Sequence, residues 1–278
     1  MKTHATIRAL TSFELEQLVD WARIEGWNPG LADAPALHAA DPQGFLGCFV
    51  DDQMGAGISA VRYGSDFGFI GLYIAHQDFR GRGLGRKVWD AGMAHLDGRT
   101  IGLDGVPEQQ ANYRGMGFEP AYETFRWSGS LVGNRDADVT AITDDLVPAI
   151  FDFDRAFFPS ERDAFLTAWL KPPRAAKVII RDGNVCGYAV CRKCHDGYKI
   201  GPLFARSAAD AQKLLSACAA EIGNETLHVD VPALQTEFSA YLEAHRFVKG
   251  FTTARMYRGP APAVRMPGVF GITTLELG

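Results

Sequence analysis

The densest chemistry in the chain lies in Tyr73–Lys87, YIAHQDFRGRGLGRK. An apolar run ends there, and Arg80, Gly81, Arg82, Gly83, Leu84 and Gly85 lead into a helical pattern that continues through Arg86. Three alternate glycines let the backbone approach a ligand, and their free N–H groups stand ahead of a helix N-terminus, which makes a ready anion site. Arg80, Arg82 and Arg86 add charge suited to a phosphate. The string matches neither GxxxxGKS/T nor GxGxxG, so neither a Walker loop nor a dinucleotide fingerprint is present. The residues alone indicate a phosphate-bearing ligand. The bland alternative is a glycine-rich turn with solvated arginines.

A second candidate string weakens on inspection. Cys191-Arg192-Lys193-Cys194-His195 fits the CxxCH haem-attachment pattern. Haem attachment follows export, and the N-terminal residues lack the positive-then-apolar order of a signal peptide. No second CxxC or His pair lies nearby to complete a zinc site. Neither haem nor metal is expected.

The elements that must position the loop come in duplicate. FGFIGLYIA (Phe67–Ala75) parallels GYKIGPLFA (Gly197–Ala205), with Gly71 matching Gly201, and the same shift pairs Asp52 with Asp182, Gly57 with Gly187 and Arg62 with Arg192. Farther on, Gly117 to Arg126 echoes Arg246 to Arg255. The nearly constant offset reads as a tandem duplication: residues 1–130 and 137–278, joined through Ser128–Asp138. Each half offers a short strand, an amphipathic helix, apolar runs split by turns, a second helix and a closing strand. The helical face Ala211, Leu214, Leu215, Cys218, Ala219 and Ile222 of the second half answers Leu84, Val88, Ala91 and Gly92 of the first. Hairpins mixed with crossovers predict an α/β or α+β fold, a mixed, mainly antiparallel sheet flanked by helices in each half. A last strand-like segment, Val269–Leu277, is expected to add to a sheet edge.

Composition sets the class. The 278 residues are 47% hydrophobic and 22% charged, with a formal net charge of -5. The chain is too apolar for disorder and too acidic for a protein whose main business is gripping nucleic acid. No stretch approaches eighteen uninterrupted apolar residues, so no membrane span is expected. Five cysteines without an export signal point to reduced thiols in a cytoplasm.

The glycine loop resembles that of the GNAT superfamily of acyl-CoA-dependent N-acetyltransferases, whose Gln/Arg-x-x-Gly-x-Gly/Ala is matched by Arg80, Gly83 and Gly85. About thirty residues on, Tyr113-Arg114-Gly115-Met116-Gly117-Phe118 is similar to the family's Tyr-x-x-x-Gly-Phe. The chain as a whole resembles the tandem subgroup, in which a second GNAT-like domain follows the first. One departure is Val106, where many members carry an Asn.

The resemblance implies an N-acetyltransferase that moves an acetyl group from acetyl-CoA directly to a primary amine of a small acceptor. It implies that Tyr73, Ile74 and Ala75 bind the pantetheine arm, with a backbone N–H facing the thioester oxygen, and that the glycine loop holds the pyrophosphate. Tyr113, with an ordinary pKa of about 10, becomes the acid for the departing thiolate; packing beside Phe118 is its structural alternative. Asp104 just past an apolar run, or Glu108 one turn on, could take a proton through water, while Asp104 could equally cap a helix ahead of Pro107. Glu25, Trp27 and Asn28, in a loop with Pro29 and two glycines, suit recognition of a cationic amine, with Asp33 and Tyr63 weaker candidates. A Trp plugged into the core is the alternative there. The second half carries RSAADAQ (Arg206–Gln212) in place of the loop and Leu242 in place of Tyr113. It is expected to be degenerate, shaping the substrate pocket or packing against the first half. The rival from another class is a non-catalytic acyl-CoA-binding or regulatory protein.

Overall fold

The computed structural model describes residues 5–278; Met1 to His4, part of the stretch read above for a leader, lie outside the described residues. The first half runs β1 (Ala5–Ala9), α1 (Ser12–Ile24), α2 (Asp33–Ala40), β2 (Phe45–Val50), β3 (Gln53–Tyr63), β4 (Phe67–Ala75), α3 (Leu84–His95), β5 (Thr100–Gly105), α4 (Pro107–Gly115) and β6 (Glu119–Gly129). The second runs β7 (Val139–Ala141), α5 (Val147–Asp154), α6 (Asp163–Trp169), β8 (Ala175–Arg181), β9 (Asn184–Lys193), β10 (Tyr198–Ala205), α7 (Ala208–Ile222), β11 (Leu227–Pro232), α8 (Thr236–Ala244) and β12 (Val248–Arg258), followed by β13 (Val269–Gly271). Local chemistry accounts for the boundaries. Thr11 and Glu14 form a reciprocal capping box at α1, and Pro107 opens α4 where its missing N–H costs nothing.

One mixed sheet takes up all these strands, in the order β1-β2-β3-β4-β5-β12-β6-β11-β10-β9-β8-β7, with β13 on β10. Only β4–β5 and β10–β11 pair in parallel; the rest of the ladder is antiparallel, as the hairpin-rich pattern predicts. Two cores lie under α3 and α7 on one face. A third, on the other face, is shared: Leu15, Leu18 and Leu37 of the first half cluster with Phe165, Trp169 and Tyr188 of the second.

The middle of the sheet departs from a simple tandem. β12, the closing strand of the second half, lies between β5 and β6 of the first, and β6 lies between β12 and β11. Each half thus lends its closing strand to the other. Two buried ion pairs cross with them. Arg255 on β12 holds Asp104 on β5 through two bonds of 2.9 Å, and Arg126 on β6 holds Asp230 on β11 at 2.8 and 3.0 Å. Ser128, read as the start of a linker, is therefore inside β6, in the centre of the sheet. The segment Val269–Leu277 also differs from expectation. Only Val269–Gly271 is strand, and it enters the interior gap between β10 and β11 instead of an outer edge: Leu203 and Phe204 pair with Gly271 and Val269, and the Ile272 N–H donates to the Asp230 carbonyl at 3.0 Å.

Candidate active site

The site begins where β4 parts from β5. Their pairing stops at Ile70↔Leu103, and the β3–β4 register slips between Gly71 and Ile74. In that slip Leu72 takes φ 45°, a left-handed conformation that a branched side chain adopts only under constraint. A cavity of about 570 Å³ opens in the V between the two strands. Tyr73, Ala75, Val106, Gln109 and Tyr113 line one side. Glu25, Trp27, Leu72, Phe251, Thr253 and Leu275 line the other.

Below the V, Gly81 and Gly83 have φ of 77° and 76°, and a Cβ at either would meet nothing within 4 Å. Glycine is required there by backbone conformation and not by crowding, and the first N–H groups of α3 have no partner within the helix. Leu84 packs inward, while Gly85 sits beneath the Tyr73 ring, where a Cβ would lie 3.1 Å from its hydroxyl. The Arg80 Nε donates to the Ala75 carbonyl at 3.0 Å and its outer nitrogen pairs with Glu25. Arg82 lies 5.0 Å from the centre of the Phe79 ring, and Arg86 pairs with Asp90 at 2.8 Å.

Tyr113 on α4 stacks on Trp89 with ring centres 5.6 Å apart and meets Phe118 edge-on at 6.3 Å, while also lining the cavity. Burial pushes its hydroxyl up to about 12, so it is protonated at neutral pH. Asp104 is placed differently from the proton acceptor expected. Both carboxylate oxygens are committed to Arg255; burial raises its carboxyl above the usual range, and the Arg255 charge opposes that rise. Glu108, at the start of α4, is exposed and lines the cavity.

The acceptor-side loop is fixed by Arg126 on β6, the strand the first half lends out, and by Lys199 on β10 of the second half. The Trp27 carbonyl accepts from Arg126 at 3.1 Å and from Lys199 at 3.2 Å. Lys199 is buried, and burial first, then Arg126, brings its ammonium down to about 8. Trp27 itself is half-buried against the cavity. Asn28, expected to touch substrate, is turned away: its amide donates to the Asp196 carbonyl at 2.8 Å and accepts the Asp196 N–H at 2.9 Å. Asp33 is likewise a loop anchor, bonded to the Gly30 N–H and Arg192, and the Tyr63 hydroxyl is buried on the Leu277 carbonyl. Leu275 carries no local motif, and Phe251, Thr253 and Arg255 lie in the repeated Arg246–Arg255 string, which marks a strand and not a site. Only the pairing of β12 with β5 brings the β12 residues to the site, and only the path of the C-terminal segment brings Leu275 there.

The same region of the second half is closed. Pro202 stands at the position of Leu72 and has no N–H to offer. Ser207 caps α7 by accepting the Asp210 N–H at 3.2 Å, and Asp210 sits in that first turn, paired with Arg181. Cys191 and Cys194 of the CxxCH string are buried, and the Cys194 backbone bridges Gly30.

Comparison with known proteins agrees with this geometry. Residues 9–118 match the model of the acetyltransferase (GNAT) family and residues 150–271 an acetyltransferase (GNAT) domain. Holothin acyltransferase of Pseudoalteromonas sp. (strain SANK 73390) is 34% identical over 274 residues, covering 96% of this chain and 92% of that protein. Among solved structures, a putative acetyltransferase from Pyrococcus horikoshii superposes with a TM-score of 0.82 at 19% identity, covering 100% of this chain and 97% of that one. A tandem GNAT protein from the clavulanic acid biosynthesis pathway gives 0.63 at 13% identity, with 93% and 100% covered. The chain belongs to the GNAT family and is an acyltransferase built of two GNAT domains in tandem.

Proposed function

We propose that the first half transfers an acetyl group from acetyl-CoA to the amine of a small acceptor, directly and in the cytoplasm, and that the second half forms the acceptor wall. The observation that carries this reading is the single cavity in which the bulged strand, the Tyr113 hydroxyl side and residues of both halves meet. The residues fit an acyl-CoA: a glycine loop with open space around it at the start of α3, a β4 edge left without a β5 partner beyond Ile70, and room alongside. Acetyl-CoA supplies the activated thioester.

The loop N–H groups and Arg82 hold the pyrophosphate. Arg80 joins them as the phosphate draws it from Glu25. The β4 backbone from Gly71 to Ala75 pairs with the pantetheine amides, and the bulge aims a fixed N–H at the thioester oxygen, where negative charge develops during attack. Tyr113, kept protonated by burial, gives its proton to the departing sulfur. The kinship with an enzyme named for acylating holothin supports a small-molecule acceptor.

Calorimetric titration with acetyl-CoA, followed by a thiol-release assay over an amine panel, tests the reading. One acetyl-CoA per chain with release of CoA thiol is expected; absence of binding overturns it. Tyr113→Phe is expected to lower kcat by about 100-fold while leaving acetyl-CoA affinity within about twofold.

A further inference from the structure

Arg80 ties the glycine loop to the acceptor side of the V. Its Nε donates to the Ala75 carbonyl at the end of β4, and its outer nitrogen pairs with Glu25 at the C-terminus of α1. A single side chain thus leaves the phosphate loop, touches β4, and neutralises a carboxylate that lines the cavity. The Arg80 and Glu25 side chains are 56% and 35% exposed, so packing does not lock the pair. An ion pair so open to water contributes little by itself and is readily exchanged for another.

The place of Glu25 gives that exchange a consequence. Its N–H closes α1 by donating to the Trp21 carbonyl at 2.9 Å. Its carboxylate therefore stands at a helix C-terminus, where the helix dipole disfavours negative charge. Arg80 is its one ion-pair partner among the described residues. Release of Arg80 leaves a carboxylate on the cavity wall that needs a new N–H donor or a proton. The other two carboxylates of the cavity have no such second state. Asp104 is committed to Arg255 through both oxygens. Glu108 has no ion-pair partner among the described residues, so it is as available before a ligand reaches the loop as after.

Resting on the acyl-transfer reading above, we infer that Glu25 takes the proton of the attacking amine and that Arg80 masks it until a pyrophosphate fills the glycine loop. Arg80 trades one anion for the other, and the freed carboxylate accepts the N–H of the acceptor. The amine nitrogen forms its bond to the acyl carbon as the C–S bond breaks. Glu25 takes the proton that nitrogen sheds, and Tyr113 gives its own to the sulfur. Glu25 then returns a proton to Tyr113 through solvent, so both groups end as they began. An amine that reaches the empty protein meets a carboxylate already paired, and the two ligands therefore favour each other's binding.

The test titrates the full chain with acetyl-CoA and with acetyl-pantetheine, which carries the same thioester and no pyrophosphate. Glu25→Gln is expected to bind acetyl-CoA about 2- to 5-fold more tightly, since nothing holds Arg80 back, and to bind acetyl-pantetheine as the wild type does. In an Arg80→Gln background, Glu25→Gln is expected to change neither affinity. Thiol release from acetyl-CoA, with the amine of the panel that the wild type uses fastest, is expected to fall about 100-fold in Glu25→Gln. Binding and turnover then move in opposite directions, which loss of a merely structural contact does not produce. A gain in affinity that persists without Arg80 or extends to acetyl-pantetheine, or a loss of acetyl-CoA affinity, overturns the inference. Full turnover in Glu25→Gln, or a loss confined to Glu108→Gln, overturns it too. Absence of acetyl-CoA binding by the wild type brings down the acyl-transfer reading as well, whereas binding with any of these contrary results overturns this inference alone.

Discussion

The V between β4 and β5 and the V between β10 and β11 start from the same repeat and end opposite. The first stays open to about 570 Å³ and exposes a strand edge, a glycine loop and a tyrosine. In the second, β13 pairs with Leu203 and Phe204, the residues that correspond to Tyr73 and Ile74. The position expected to receive the pantetheine arm is taken by the chain's own backbone. At the helix below, open glycines are replaced by a serine cap and a carboxylate, which repels a phosphate. The plug of one V continues as a wall of the other, because the segment that follows β13 runs on to the first half, where Leu275 lines the cavity. There the Ser59 hydroxyl donates to the Glu276 carbonyl at 3.1 Å, and a side chain at Gly71 would collide with that same oxygen.

The severest way to break this comparison is to separate the halves. Residues 1–130 produced alone lack β12 between β5 and β6, so Asp104 loses Arg255 and the sheet is interrupted. No folded, acetyl-CoA-binding species is expected, as read by circular dichroism and calorimetry, and co-expression with residues 137–278 should restore one. A folded, binding first half would show that the strand exchange is dispensable.

A smaller perturbation targets the loop. Gly83→Val forces a β-branched side chain into φ 76°, and acetyl-CoA affinity is expected to fall by about 100-fold with little change in Tm. Ser207→Gly at the matching place should leave stoichiometry at one per chain, since β13 and Asp210 still occupy the second site. A second bound acetyl-CoA would contradict the plugged reading.

The gentlest probe is acid. Burial raises the Asp230 carboxyl, yet Arg126 and Lys199 outweigh it and bring it down to about 2. Its contribution is present above its ordinary value and lost as pH falls from about 4 to about 2, amounting to about 2 kcal/mol. Asp104 lacks the extra lysine, and burial leaves its carboxyl raised, so its own term has the opposite slope. In acid unfolding followed by fluorescence, Asp230→Asn should flatten the loss below about pH 4, and Asp104→Asn should not. Equal behaviour would dissolve the distinction between the crossed pairs.

Much of the site was legible because the chemistry there is local. The glycine loop, Tyr113 and the repeat are short strings whose residue types have few other uses, and Glu25 and Trp27 line the cavity. The exchange was not legible. Gly117–Arg126 and Arg246–Arg255 read the same whether each strand closes its own half or the other, since alternation specifies which face is buried and not which neighbour is chosen. Asp104 and Asn28 illustrate the limit at the level of single residues. A polar side chain beside a cleft looks alike in sequence whether it faces a ligand or is satisfied by Arg255 or by the Asp196 backbone. Phe251 and Thr253 could be found only through β12.

The β13 insertion has a thermodynamic meaning beyond blocking a site. Any segment that binds a separate ligand meets its ordering cost each time the ligand arrives. With the arm covalently attached, its effective concentration never falls, and the ordering cost is met once, at folding. The second half is in this sense a permanently saturated receptor. Lys199 and Asp230, which hold the Trp27 carbonyl and the Arg126 guanidinium, stand on the two strands that flank this inserted arm.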